Sequence, residues 1–262
     1  MINTVPDILA RIVDHKAFEL SQAGPLEPLE HRAELRTHTR RDFAVSLHSH
    51  HPAIIAEIKK ASPSRGLLSK DFRPAATALE YQEGGAAAIS VLTDQKFFEG
   101  SLADLESAWN STGLPVLRKD FTTDPYHVIE AAAHGADAIL LIAAILSERR
   151  LRDLRELAAR YKMAALVEVH DGGELESAIA SGAEIIGVNN RNLHTFEVTL
   201  ETSLSLAARI PDSVLKVSES GFETREQIDR LRAAGFQAFL IGEHLMRSAD
   251  PRKALQELTA CS

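Results

Sequence analysis

The chain has 262 residues, 45% of them hydrophobic and 25% charged, which is the composition of an ordinary soluble globule without low-complexity tracts. A formal net charge of −8 and a pI near 5.8 exclude the broad basic surface that nucleic-acid binding requires, so any anionic ligand has to meet local, focused positive charge. The single cysteine, Cys261, excludes an intrachain disulfide. No run is apolar for long enough to cross a bilayer and the N-terminus lacks a secretion pattern, so a cytoplasmic setting is expected.

In chain order, residues 1–45 read as a helical extension, with Ile8, Leu9, Ile12 and Val13 on one face and Asp7, Arg11 and Asp14 opposite. His48, His50 and His51 come next. They lead into the first strand and so read as a polar loop at the N-terminal end of the sheet, not as a metal site. Eight short apolar or β-branched runs then alternate with helix-like segments: Ala53–Lys59, Ala88–Leu92, Pro115–Lys119, Ala138–Ile142, Ala164–Val169, Ile185–Asn189, Val214–Glu219 and Ala238–Gly242. Gly84-Gly85, Gly135, Gly182 and Gly235 precede the second, fourth, sixth and eighth runs, as helix-ending glycines would if a double unit were repeated four times. This pattern predicts an α/β fold, a (β/α)8 TIM barrel over 53–262 within a single domain of 1–262. An open doubly wound sheet is the rival, but its glycine-rich phosphate loop after the first strand is missing.

Strand alternation decides what points inward. In Ile54-Ile55-Ala56-Glu57-Ile58-Lys59 the apolar Ile54, Ala56 and Ile58 share the face that meets the helices, which turns Glu57 and Lys59 into the barrel. Lys119, Glu168 and Glu219 end the third, fifth and seventh strands. The odd strands therefore supply one charged layer at the C-terminal mouth, where barrel enzymes keep their catalytic groups. Burying one such ion costs on the order of several kcal/mol unless it is paired, which makes the layer a poor stabilising device and a good acid–base site. Ser218-Glu219-Ser220-Gly221 and Ile241-Gly242-Glu243-His244 end the last two strands, the usual place for a phosphate in this fold.

At these residues the chain resembles the indole-3-glycerol-phosphate synthase family. The likeness is carried by the run from Ile54 to Gly66 (IIAEIKKASPSRG) and by Ser90-Val91-Leu92-Thr93-Asp94, Leu117-Arg118-Lys119-Asp120-Phe121, Leu166-Val167-Glu168-Val169-His170, Gly187-Val188-Asn189-Asn190-Arg191-Asn192-Leu193 and Val217-Ser218-Glu219-Ser220-Gly221, in family order. The resemblance implies a substrate, 1-(2-carboxyphenylamino)-1-deoxyribulose 5-phosphate, that is cyclised, decarboxylated and dehydrated in tryptophan biosynthesis, with no cofactor and no metal. It also implies the roles: Lys119 as acid and Glu168 as base, with Lys59 and Arg191 at the substrate carboxylate. Glu57, Asn189 and Glu219 would be supports, with Leu92, Phe98, Phe121, Leu140 and Leu193 around the aromatic ring. Ser62, Ser220, Gly221, Gly242 and the backbone of Glu243 would hold phosphate, the Glu243 carboxylate turned away. The loop from Ser62 to Lys70 is expected to close over the substrate.

Three rivals are weighed against this reading. A related isomerase barrel is disfavoured because its family uses a strand-one cysteine, absent here. A Schiff-base aldolase would use Lys59 or Lys119 as nucleophile, and a non-catalytic metabolite-binding barrel would not need the acid–base set. The expected partner is the small phosphorylated substrate, without nucleic acid or membrane, and the chain is expected to be a monomer, a homodimer being the alternative.

Overall fold

Eight strands, β1 (Ala53–Ile58), β2 (Ala88–Leu92), β3 (Val116–Lys119), β4 (Ala138–Ile142), β5 (Ala164–Val169), β6 (Ile185–Asn189), β7 (Leu215–Glu219) and β8 (Ala238–Ile241), pair in parallel with their sequence neighbours, and β8 closes on β1. The computed structural model describes residues 7–260 except 64 and 70; Ser64, Lys70 and Cys261, named above, lie outside the described residues. The closed sheet overturns the open-sheet rival. Some strands are a residue shorter than expected: Lys59 and Gly242 fall just past their strands, and Pro115 and Val214 just before theirs. Pro115 has no N–H to give a ladder and supplies only its carbonyl, to Ile89; Gly242 starts the next helix.

Two apolar layers follow from strand parity. Inside the barrel, Ile55, Leu117, Leu140, Leu166, Val217 and Leu240 are packed together. Outside it, Ile54, Ala56, Ile58, Ile89, Val91 and Val167 meet the helices. These helices are α4 (Pro74–Glu83), α6 (Leu102–Ser111), α7 (Pro125–Ala133), α8 (Glu148–Arg160), α9 (Gly172–Ala180), α10 (Glu201–Ala207), α11 (Arg225–Ala233) and α13 (Pro251–Thr259), with short α5 (Gln95–Phe98) and α12 (Glu243–Arg247) at the mouth. Asp94, Ser101, Asp124, Ser147, Asp171, Thr224 and Asp250 each cap a helix by accepting from an amide of its first turn. The loops leaving the strands are thereby fixed at the functional face. Gly85, Gly135, Gly182 and Gly235 have φ between 81° and 96°. The amide after each closes back on the helix, as in Ala86 to Tyr81 and Ala136 to Ala131, the left-handed helix end that glycine adopts without strain.

The N-terminal extension is three helices, α1 (Asp7–Ser21), α2 (Glu27–Arg36) and α3 (Phe43–His48), with a 3₁₀ turn at Thr37–Thr39. It reaches past residue 45 because Phe43 and Leu47 are fully buried against the interior layer and carry the helix on. On α1, Leu9 and Ile12 are buried while Ile8 and Val13 are only partly so. His48 and His50 each turn a ring nitrogen to a backbone carbonyl one turn earlier, at 2.8 Å, and among the described residues no group of His, Cys, Asp and Glu is arranged to hold a metal.

Candidate active site

A cavity of about 910 Å³ opens at the C-terminal mouth of the barrel, and every residue given a site role above lies on its lining. On its floor the Lys119 ammonium donates to Glu168 Oε2 at 2.9 Å and stands 3.5 Å from Glu219 Oε2. Lys59, one residue beyond β1, folds back onto Glu57 Oε1 at 2.5 Å. Asn189 hydrogen-bonds Glu168 through its side chain and accepts from the Arg191 amide at 3.0 Å. The lysines and carboxylates of the odd strands thus meet in one cluster. Phe98 and Phe121 face each other across the cavity edge with ring centroids 6.1 Å apart, next to Leu92, Leu140 and Leu193.

Three buried carboxylates share two ammonium groups, and Glu219 Oε1 is buried without a hydrogen-bond partner. Burial alone would lower the Lys119 pKa, but Glu168, Glu219 and Glu57 together push it well above the ordinary lysine value. Burial pushes Glu168 the other way from where it ends: the Lys119 and His170 charges and the Lys119 and Asn189 hydrogen bonds outweigh it and hold the carboxyl below its ordinary range. Glu219 is driven up by burial and by Glu168 and Glu57, against the pull of Lys119. The floor therefore carries a lysine fixed as a cation, an ionised carboxylate on it and a second carboxylate that prefers a proton.

Glycines make room for this packing. A Cβ at Gly187 would stand 2.1 Å from Glu219 Oε1, and one at Gly242 would stand 2.2 Å from Glu57 Oε1. Gly242, expected only as a phosphate contact, is thus also required by the carboxylate beside it. At the end of β7, Ser220 and Gly221 both take positive φ, 69° and 91°, and a Cβ on Gly221 would meet Val198. The Glu243 carboxylate pairs with Arg65, Arg191 and Arg247 at 3.2, 3.7 and 3.5 Å, three guanidinium groups at the rim. Ser62 lies on a tight pairing of Ala61–Ser62 with Gly66–Leu67 at the mouth.

Sequence reasoning gave no role to several groups. His170 sits beside Glu168, and the alternation that turned Glu168 inward points to it two residues on. Gly187 has the inward parity of a site residue but no side chain to announce one. Lys16 of α1 reaches Asp94 and Asp120 at 3.0 and 2.9 Å; nothing in the sequence pairs residues so far apart.

A buried set of lysines and carboxylates on the mouth of a (β/α)8 barrel defines an acid–base barrel enzyme. The family model described as indole-3-glycerol phosphate synthase matches residues 9–258. Two relatives bearing that description, from Albidiferax ferrireducens and Variovorax paradoxus, are 50% and 48% identical; the first match covers 97% of this chain and 98% of the relative, the second 97% and 99%. The chain belongs to the indole-3-glycerol phosphate synthase family, decarboxylating lyases of tryptophan biosynthesis. Among solved structures, a thiamine phosphate pyrophosphorylase from Pyrococcus furiosus superposes with a TM-score of 0.59 at 17% identity, over 79% of this chain and 93% of that one. An N-acetylmannosamine-6-phosphate 2-epimerase from Clostridium perfringens gives 0.59 at 17% identity over 76% and 89%. Both share the fold alone.

Proposed function

We propose that this cavity converts 1-(2-carboxyphenylamino)-1-deoxyribulose 5-phosphate to indole-3-glycerol phosphate, carbon dioxide and water, with Lys119 as acid and Glu168 as base. The observation that carries the reading is the Lys119 ammonium clamped between Glu168 and Glu219 on the cavity floor. Ring closure makes a carbon–carbon bond from the aryl carbon to the sugar ketone and leaves negative charge on the ketone oxygen. A fixed ammonium stabilises that oxygen and gives it a proton. Loss of carbon dioxide returns the bonding pair to the ring. The hydroxyl then leaves as water, an acid protonating it while an ionised carboxylate takes up a proton from the ring system. Glu168, held ionised, suits that last step, and Lys59 is the second acid at hand.

Lys59 and Arg191 hold the substrate carboxylate in this reading, and Glu57, Asn189 and Glu219 orient the lysines and the sugar hydroxyls. Leu92, Phe98, Phe121, Leu140 and Leu193 enclose the aromatic ring. Ser62, Ser220, Gly221, Gly242 and the Glu243 backbone take the phosphate, with the guanidinium groups around the Glu243 carboxylate offsetting its repulsion. The Ser62 to Lys70 loop closes over the bound substrate. In this reading the single domain acts as a monomer, and its one cysteine suits the cytoplasm.

The test is a fluorescence assay for indole-3-glycerol phosphate on purified protein. Wild type should form product. Lys119→Ala and Glu168→Gln should each lose on the order of 10²- to 10⁴-fold in kcat. Absence of product from wild type, or full activity in both variants, refutes the reading.

A further inference from the structure

His170 is the first residue after β5 and continues the inward face of Glu168. Its Nε2 stands 3.4 Å from Glu168 Oε1, the oxygen that Lys119 does not hold. On the other side its Nδ1 lies 3.0 Å from Glu174 Oε2, which also accepts from the His170 backbone amide at 2.8 Å. Glu174 is itself fixed, since it stands in the first turn of α9 and its amide is capped by Asp171. The ring is therefore oriented from behind by one carboxylate and presents its far nitrogen to another.

The tautomer follows from these partners. A carboxylate that already accepts a backbone N–H takes a second donor, so Nδ1 carries a proton. If Nε2 were bare, a lone pair would face the Glu168 carboxylate; with a proton there, the ring is an imidazolium between two anions. Nε2 is buried and makes no hydrogen bond in its present geometry, so a small movement of Glu168 completes the contact.

We propose that His170 is a positioning residue for Glu168: as an imidazolium it fixes the carboxylate through Oε1 and keeps it ionised, leaving Oε2 to Lys119. This rests on the reading of Glu168 as the base. The groups facing the ring are Glu168 from β5, Glu174 from α9 and, further off, Glu219 from β7, with Lys119 beyond Glu168. Burial lowers the His170 pKa, but the Glu174 hydrogen bond and the charges of Glu168, Glu174 and Glu219 outweigh it, and the net direction is up. Carboxylates on both ring nitrogens thus favour the cationic ring over the neutral one. No proton needs to pass through the ring for this role.

The experiment compares pH profiles of kcat and kcat/KM for wild type, His170→Ala, His170→Gln and Glu168→Gln, and follows the His170 ring nitrogens by NMR titration in wild type and Glu168→Gln. In His170→Ala the acidic limb should move up by about one pH unit, because Glu168 loses a neighbouring cation, and kcat should fall roughly ten- to a hundredfold with KM little changed. His170→Gln places a neutral N–H near the Nε2 position. It should recover most of kcat but leave the limb displaced. The His170 titration midpoint should fall in Glu168→Gln. The inference is overturned if His170→Ala keeps the wild-type limb and kcat while Glu168→Gln is inactive, or if its loss is uniform across pH and Gln does not recover it. An unchanged His170 midpoint in Glu168→Gln also overturns it. A fully active Glu168→Gln overturns the assignment of the base, and with it this role for His170.

Discussion

Gly187 is as much a part of the charged cluster as the carboxylate it faces. With a methyl group 2.1 Å from Glu219 Oε1 and 3.1 Å from Leu166 Cδ1, either Glu219 or the β6 backbone has to move. Gly187→Ala should therefore displace Glu219 from Lys119, lower kcat at least tenfold by misplacing the acid, and cost about 1–3 kcal/mol in urea denaturation as an overpacked core. Gly113→Ala, whose Cβ would meet only Gln82 Oε1 at 3.8 Å, should leave kcat unchanged. At this scale the sequence was informative wherever a side chain carried its own signal. Glu57, Lys119, Glu168 and Glu219 were legible because charge on an inward parity is costly unless used. The demand on Gly187 was hidden because the atom it must avoid belongs to a residue one strand further on, and alternation assigns a face without saying what lies across it.

The helix α7 shows how an element can carry pH dependence away from the cavity. His127 is buried on it, accepts from the Thr123 amide at 3.2 Å through Nδ1, and lies against Arg118, which donates to its carbonyl at 3.0 Å. Burial first, then the positive charges of Arg118 and Lys16, lower its pKa from 6.5 to about 4, against the opposing pull of Asp120 and Glu130. The folded state thus binds this proton less readily than the unfolded chain. Stability is full above pH 6.5 and is lost as the pH falls from there to about 4, by roughly 3 kcal/mol. Asp120, whose pKa is depressed mainly by Arg118 and Lys16 against the effect of burial, adds its own loss only below the ordinary carboxylate range. Urea unfolding at pH 7, 5.5 and 4 should show the first slope in wild type and a flatter one in His127→Asn. Secondary-structure elements differ in how far the sequence reveals them, for a local reason. The helix-ending glycines were visible in advance because a left-handed residue is a property of one position. The division of the extension into three helices is hidden in the sequence because its breaks, near Gly24-Pro25 and Arg40-Arg41, are followed by helices whose burial depends on distant strands.

Across the whole molecule the extension ties the functional mouth to the opposite face, and its two anchors should fail differently. At the mouth, Lys16 is 4% exposed and pairs with Asp94, fully buried, and with Asp120, the neighbour of Lys119. At the base, Arg40 donates to the carbonyls of Ala132, Ala136 and Tyr161, and Arg41 donates to those of Trp109 and Leu114 while lying 4.2 Å above the Trp109 ring. Replacing Lys16 with Met leaves the Asp94 carboxylate buried without its cation, while Asp120 keeps Arg118 at 3.0 Å. A loss of about 3–5 kcal/mol is expected. Because Asp120 lies next to Lys119 and Asp94 caps the helix that carries Phe98, kcat should drop about tenfold as well. Arg40→Met removes the donor that Ala136 and Tyr161 share at the N-terminal face, while the Ala132 carbonyl keeps the Gly135 amide, and should cost about 1–3 kcal/mol. That face carries stability, not chemistry, so kcat should hold. Measuring urea midpoints and kcat for both variants separates the two anchors: equal falls in kcat would mean that the strap acts through the rigidity of the barrel as a whole, and a fall confined to Lys16→Met would mean that it acts through the mouth loops that Lys16 ties down.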